Sequence, residues 1–405
     1  MIKMSLNSTP SGERVHIAFF GMRNAGKSTL INAVTGQELA VVSDVPGTTT
    51  DPVSKAMELL PLGPVMLTDT PGIDDSGELG GLRVKKTRQT LNKTDIAVLV
   101  TASDTLSPEE NGLISLFRAK DIAFVIAHNK SDLTGAKPEK DGEIWVSAKD
   151  GTNIGRLKEM LGAMAPKDDD KPIIRDMLEP EDAVVLVVPI DESAPKGRLI
   201  LPQQQTIRDI LDAGATALVT KDDTLRSALA SLKSPPRMVV TDSQAFRSVA
   251  ADTPDEVPLT SFSILMARHK GFLDAAVRGV TAIDRLRDGD TVLISEGCTH
   301  HRQCGDIGTV KIPNWLRKRT GKDIKIETSS GGGWPEDLSG YAAVIHCGGC
   351  MLSSREMRYR MQCAEDAGVP FTNYGITIAY VNGILRRSIT PFPELLREYD
   401  SLGGK

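Results

Sequence analysis

Apolar residues gather in short unbroken runs, each followed by a turn and then by a helix-period pattern. Val15–Phe20, Val65–Thr68, Ile96–Thr101, Ile122–His128 and Ile144–Ser147 are runs of this kind. A strand that is apolar throughout, rather than at alternate positions, is buried on both faces, as in a parallel sheet covered by helices. The N-terminal part therefore predicts an α/β domain with a mostly parallel sheet. A Pro- and charge-rich segment, Ala165–Asp176 (APKDDDKPIIRD), reads as a linker. Beyond it the alternation resumes, with strands expected at Ala183–Ile190, Ala215–Thr220 and Met238–Thr241 and helices at Gln204–Ala213 and Thr224–Leu232. Leu273–Leu286 reads as a single helix joining this part to a last strand–helix stretch, in which Thr291–Ser295 and Ala342–Ile345 are strands and Ser354–Ala367 is a helix. The expected organisation is a larger α/β domain over 12–167 and two smaller ones over 177–272 and 273–397.

Composition narrows the function classes. The 405 residues are 40% hydrophobic and 25% charged, as in a soluble globular protein, with a net charge of −5. No basic excess marks a dedicated nucleic-acid binder, and residues 281–405 carry 16 Lys and Arg against 15 Asp and Glu. No apolar run approaches the length of a membrane span. Met1–Arg14 lacks the apolar core of a signal peptide, so the expected location is the cytoplasm. Five cysteines cannot all pair, and they are too sparse to staple a chain of this size.

The sharpest motif is Gly21-Met-Arg-Asn-Ala-Gly26-Lys27-Ser28, a complete G-x-x-x-x-G-K-S. It follows the strand Val15–Phe20 and opens a helix over Ser28–Val34, the context that a phosphate-cradling loop requires. Gly21, Asn24, Ala25, Gly26, Lys27, Ser28 and Thr29 are expected to surround the phosphates, with Lys27 on the outer ones and the Ser28 hydroxyl on Mg2+. Asp69-Thr-Pro-Gly72 ends the strand Val65–Thr68 and supplies a carboxylate for the metal and a glycine amide for the γ-phosphate. Gly47-Thr48-Thr49-Thr50-Asp51 lies between the two, and Thr49 is the expected switch ligand of Mg2+. Asn129-Lys130-Ser131-Asp132 follows the strand Ile122–His128. The Asp132 carboxylate can accept hydrogen bonds from both N1 and the 2-amino group of guanine, a pair that adenine lacks. Ser147-Ala148-Lys149 would pack against the base. Five elements in register specify GTP.

These residues resemble the TrmE–Era-like branch of the translation-factor class of P-loop GTPases. In that resemblance Asn24 matches a position that coordinates K+, although an asparagine there also suits a tight loop turn. Ile73 follows the DTPG element where Ras-like proteins carry a water-orienting glutamine, so hydrolysis should be slow without another group or ion. Thr50 stands where relatives often have arginine.

All five cysteines lie in the last part of the chain. Glu296-Gly-Cys298-Thr-His300-His301 and His346-Cys347-Gly-Gly-Cys350 each follow an expected strand, so both belong to loops at strand ends. Cys347 and Cys350 have the C-x-x-C bite of a metal or cluster site. Zinc held by Cys298, Cys347, Cys350 and one histidine is one reading; a redox dithiol and inert buried thiols are others. The favoured reading is a 4Fe–4S cluster on three thiolates, with the fourth place weakly held or open. Cys304 and Cys363 are candidates for that place, Cys363 being better explained as part of a helix core. Glu296 is a further candidate, since it projects from the same strand face two residues before Cys298.

Cys-Thr-His followed by His-Cys-Gly-Gly-Cys, downstream of an Era-like GTPase, resembles the FeFe-hydrogenase maturation GTPases over essentially the whole chain. The segment Val185–Gln205 resembles that family's dimerisation domain. The resemblance implies a homodimeric scaffold or carrier. It would receive a transient di-iron subcluster precursor, built with two radical-SAM maturases, and deliver it to apo FeFe-hydrogenase. It carries the cluster over to Cys298, Cys347 and Cys350, with His300 and His346 as motif histidines. A ribosome- or tRNA-linked GTPase with a zinc-stapled C-terminal module is the competing reading.

Overall fold

The computed structural model describes residues 11–37, 52–72, 87, 89–135, 138, 140–165, 171–189, 199–297, 306–331 and 333–403. They form two compact units, Met1–Asp169 and Asp170–Lys405.

In the first unit β1 (Val15–Phe20), β2 (Val53–Leu59), β3 (Gly63–Asp69), β4 (Ile96–Thr101), β5 (Ala123–His128) and β6 (Glu143–Trp145) make one sheet. Its order is β2-β3-β1-β4-β5-β6, and only β2 runs antiparallel to its neighbour. All six residues of β4 are buried, as an apolar run between two helix layers must be. Ile17 and Phe19 of β1 pack with Leu30 and Val34 of the helix Lys27–Thr35 and with Leu157 of the helix Ile154–Ala163. Ala18 and Phe20 point the other way, toward Leu113 and Phe117 of the helix Pro108–Ala119. β2 was not anticipated from the sequence. It is an edge strand whose side chains are mostly exposed, so it carries no apolar signature.

The second unit holds two all-parallel sheets. β7 (Ala183–Val187), β8 (Thr216–Thr220), β9 (Met238–Thr241) and β10 (Leu259–Ser261) lie in the order β10-β9-β7-β8. β11 (Thr291–Glu296), β12 (Lys325–Ser330), β13 (Ala343–His346) and β14 (Phe371–Asn373) lie in the order β12-β11-β13-β14. One apolar cluster spans both, from Val185 and Val239 through Ala276 and Val277 to Val292 and Val344. The expected helix Leu273–Leu286 stops at Val280 and tightens into a 3-10 turn over Thr281–Arg285. That helix presses on β14: a Cβ on Gly279 would lie 2.1 Å from the Phe371 carbonyl oxygen. The chain's last helix, Pro393–Ser401, extends past the expected end of the third domain and buries Leu395 and Tyr399.

The linker expected over Ala165–Asp176 needs correction at its C-terminal end. Ile173 and Ile174 are buried in the second unit, and Arg175–Met177 is a 3-10 turn. Asp209 Oδ2 accepts the backbone N–H groups of Ile173, Ile174 and Arg175 at 2.9, 2.7 and 2.8 Å. A single buried carboxylate thus ends the linker. Asp209→Ala strands these donors and should destabilise the second unit by about 2–4 kcal/mol, measured by urea unfolding. GTP affinity, which belongs to the first unit, should not change. An unchanged unfolding midpoint would show that the turn is not anchored in this way.

Candidate functional site

β1 delivers the chain to Gly21, whose φ is +144° and whose added Cβ would lie 2.1 Å from the Val100 carbonyl oxygen on β4. Only glycine fits there. Asn24 and Gly26 then adopt φ values of +61° and +88°, curling the loop into the helix Lys27–Thr35. Gly26 is the N-cap of that helix and offers no side-chain acceptor, which leaves the first-turn N–H groups to an anion. Lys27 is buried and lies across the loop, its Nζ donating to Gly21 and Met22 carbonyls at 3.1 and 2.9 Å. Ala25 is buried, Asn24 is exposed, and Thr29 is half-buried in the first turn.

Ser28 Oγ donates to Asp69 Oδ2 at 2.6 Å, joining the phosphate loop to the end of β3. Burial pushes the Asp69 carboxyl above its ordinary range, while the Ser28 hydrogen bond and the Lys27 charge pull it down. Asp69 Oδ1 is buried with no hydrogen-bond partner. An orphaned carboxylate oxygen beside a serine hydroxyl is the donor set of a hard cation, so these residues fit Mg2+. Gly72 completes the wall: its added Cβ would lie 2.9 Å from the Arg23 backbone nitrogen. Thr49 and Ile73 lie outside the described residues.

The base-recognition elements meet the same loop. Asn129 Nδ2 donates to the Ala25 carbonyl at 3.1 Å, and Asn129 Oδ1 accepts from Ala148 N–H at 3.1 Å. Lys130, at φ +64°, donates its Nζ to the Asn24 carbonyl at 3.0 Å. Ser147 Oγ donates to Asp132 Oδ1 at 3.0 Å, and Asp132 and Lys149 are exposed at the mouth. The sequence reading missed His128. It is buried at the end of β5, stacked on Trp145 at 4.3 Å and hydrogen-bonded to the Ser103 carbonyl and Glu143. It steadies the two strand ends that carry Asn129 and Ser147. A histidine just before the Asn129–Asp132 motif was the only available signal.

In the second unit, β11 and β13 pair in parallel with Ser295 opposite His346, so both strands end together. Cys347 N–H donates to the Ser295 carbonyl at 2.8 Å. The Cys347 sulfur accepts N–H groups from Gly297 at 3.1 Å and Gly349 at 3.4 Å. Burial pushes the Cys347 thiol up, and these two N–H donors pull it back. Gly349, at φ +62°, turns the loop toward Cys350, with no room for a Cβ against Met357 Sδ at 2.4 Å. Gly297 is also tight, a Cβ there lying 2.7 Å from Leu352 Cγ. Cys347 and Cys350 are half-buried free thiols, and Cys363 packs on the core from the helix Ser354–Asp366. Cys298, His300, His301 and Cys304 lie outside the described residues, and among the described residues no three potential ligands converge on one point.

His346 is fully buried, and both of its ring nitrogens are engaged. Arg360 Nη1 donates to Nε2 at 3.0 Å, so Nε2 is the acceptor and the proton sits on Nδ1, which donates to the Cys347 carbonyl at 2.8 Å. Burial and the Arg360 charge push its pKa down to about 3. The ring therefore braces the Cys347 backbone as neutral imidazole. Arg360, itself buried, also reaches Glu356 and the Gly331 carbonyl, both at 2.6 Å, and lies over Trp334. Glu296 Oε1 accepts from the Tyr374 hydroxyl at 3.1 Å, and Gly308 leaves room for that pair. Neither Arg360 nor Tyr374 was visible as a partner in the sequence.

Residues 16–130 match a family described as 50S ribosome-binding GTPase. A tRNA modification GTPase MnmE from Nitrosospira multiformis is 33% identical over 158 residues, 37% of this chain and 34% of the relative. GTPase Der from Wolinella succinogenes is 34% identical over 177 residues, 38% of this chain and 36% of the relative. The chain spans about a third of the length of these curated relatives. Among solved structures, Aquifex aeolicus Era bound to GDP and AlF4− is 20% identical, with a TM-score of 0.35, covering 51% of this chain and 94% of that one. The first unit is a P-loop GTPase domain with the residues for GTP and Mg2+. Residues 173–271 match the hydrogen maturase F dimerization domain, and residues 274–391 match the hydrogen maturase F tetramerization domain. Two consecutive segments of one family, placed after a GTPase domain, together span more than half of the sequence, and the chain belongs to the hydrogen maturase F (HydF) family.

Proposed function

We propose that this chain is a GTP-hydrolysing scaffold of FeFe-hydrogenase maturation. It would hold a 4Fe–4S cluster on Cys298, Cys347 and Cys350 and carry a di-iron precursor, its cargo, to apo FeFe-hydrogenase. The parts are the GTPase domain over 12–167, a self-association domain that makes a homodimer over 177–272, and a cluster domain over 273–397. The observation that carries the reading is the N–H of Gly297, the residue before Cys298, bonded to the sulfur of Cys347 at 3.1 Å. That bond brings the segment leading into Cys298 against Cys347, and the N–H donors on the sulfur offset part of the burial that raises its pKa. The cluster, when bound by three thiolates, leaves one iron open to an outside ligand. Radical-SAM maturases are the expected source of the cargo, and the cytoplasm is the expected compartment. No described helix is long and apolar enough to cross a membrane.

In the GTPase domain, Lys27 leaves the loop carbonyls to meet the outer phosphates, and Ser28, Thr49 and Asp69 would hold Mg2+. That ion would neutralise charge on the phosphate oxygens during transfer. The Gly72 amide would face the γ-phosphate. Asn24 would hold K+, adding positive charge against the phosphates where Ile73 offers no water-orienting group.

Three outcomes test these roles. Asp132→Asn should weaken GTP binding and raise preference for xanthosine nucleotides, since the amide presents a donor to guanine's own donors; unchanged GTP affinity contradicts the assignment. Hydrolysis should run several-fold faster in K+ than in Na+, and Asn24→Ala should remove most of the difference; equal rates in the two salts exclude the K+ role. Serine at Cys298, Cys347 or Cys350 should each cost most of the iron and all hydrogenase activation while GTP hydrolysis persists. Serine at Cys363 should not. His300→Ala should retain much of the iron, and Glu296→Gln should alter the cluster spectrum without emptying the site. Full iron content in all three serine variants would place the cluster elsewhere.

A further inference from the structure

Lys270 follows the helix Phe262–His269 and is 6% exposed. A buried ammonium is costly unless its donors are satisfied. Its Nζ donates to the Gly349 carbonyl at 2.6 Å and to the Leu352 carbonyl at 2.7 Å. Those two carbonyls flank Cys350 on the cysteine loop. The lysine belongs to the segment that matches the dimerization family, and the loop to the segment that matches the tetramerization family.

We propose that Lys270 is a positioning residue for the cluster: it clamps the Cys350 turn through the Gly349 and Leu352 carbonyls and sets a buried positive charge against the loop that carries Cys350. This rests on the reading that the loop ligates an iron–sulfur cluster. Three thiolates outweigh the charge of the cluster's iron and sulfide, so the site is anionic and becomes more so on gaining an electron. A fixed cation therefore favours the reduced form. The step is one-electron transfer from an external reductant, dithionite in the test, to the cluster; no bond is made or broken. Lys270 thereby links the body of one segment to the redox poise of the other.

Lys270→Gln keeps two N–H donors for the two carbonyls but removes the charge, and Lys270→Arg keeps the charge. Both variants and the parent are prepared anaerobically, assayed for iron and sulfide, and titrated with dithionite under electron paramagnetic resonance. In Lys270→Gln, parental iron and sulfide with a reduced-to-oxidised ratio about tenfold lower at a given poise is expected, about 59 mV for one electron. Lys270→Arg should stay near the parent. Loss of iron from Lys270→Gln but not from Lys270→Arg also supports the positioning role, since the charge is what distinguishes the two variants. Parental iron, sulfide and midpoint potential in Lys270→Gln overturn it. A parent chain without iron would instead sink the cluster reading itself.

Discussion

Parallel pairing of β11 with β13 is the constraint on which the cysteine site depends. Ser295 stands opposite His346, and both strands end within a residue of that pair. Their outgoing loops must then share one edge of the sheet, which is where open parallel sheets place ligands. Gly297 and Cys347, 50 residues apart in sequence, come to 3.1 Å as a direct result. Behind that edge Arg360 ties His346, Ser295 and Gly331 into one buried network. Gly331 follows β12, so a single guanidinium joins the ends of β11, β12 and β13. The loop is built on a braced floor, and a cluster bound there would meet little reorganisation.

The GTPase unit uses the same rule. β1, β3, β5 and β6 all release their loops at one edge, and the phosphate loop, Asp69, Asn129 and Ser147 converge there. Asn129 is the joint: its amide oxygen takes Ala148 N–H and its nitrogen holds the Ala25 carbonyl, so the base loops and the phosphate loop are tied to one side chain. Ser28 and Asp69 fasten the loop to β3 in the same way.

Much of this was legible because burial leaves a strong imprint. β1, β4 and β9 have the expected bounds, since each is a nearly continuous apolar run. β2 and β12 escaped notice as polar edge strands, and β10 and β14 are only three residues long. The phosphate and base motifs were readable because their glycines and carboxylates answer to the ligand's chemistry. What the sequence hid were tertiary partners: Arg360 lies in a polar helix that reads as exposed, Tyr374 as a core aromatic, and Lys270 as one more surface lysine. Ile173 and Ile174, masked by the acidic run before them, belong to the core.

The central claim is that the strand-end loops of the second unit hold a 4Fe–4S cluster rather than zinc. Metal and sulfide analysis of anaerobically prepared full-length protein tests it most directly. The account predicts about four iron and about four sulfide per chain, little zinc, and a one-electron reducible visible chromophore. One zinc per chain with neither iron nor sulfide would contradict it.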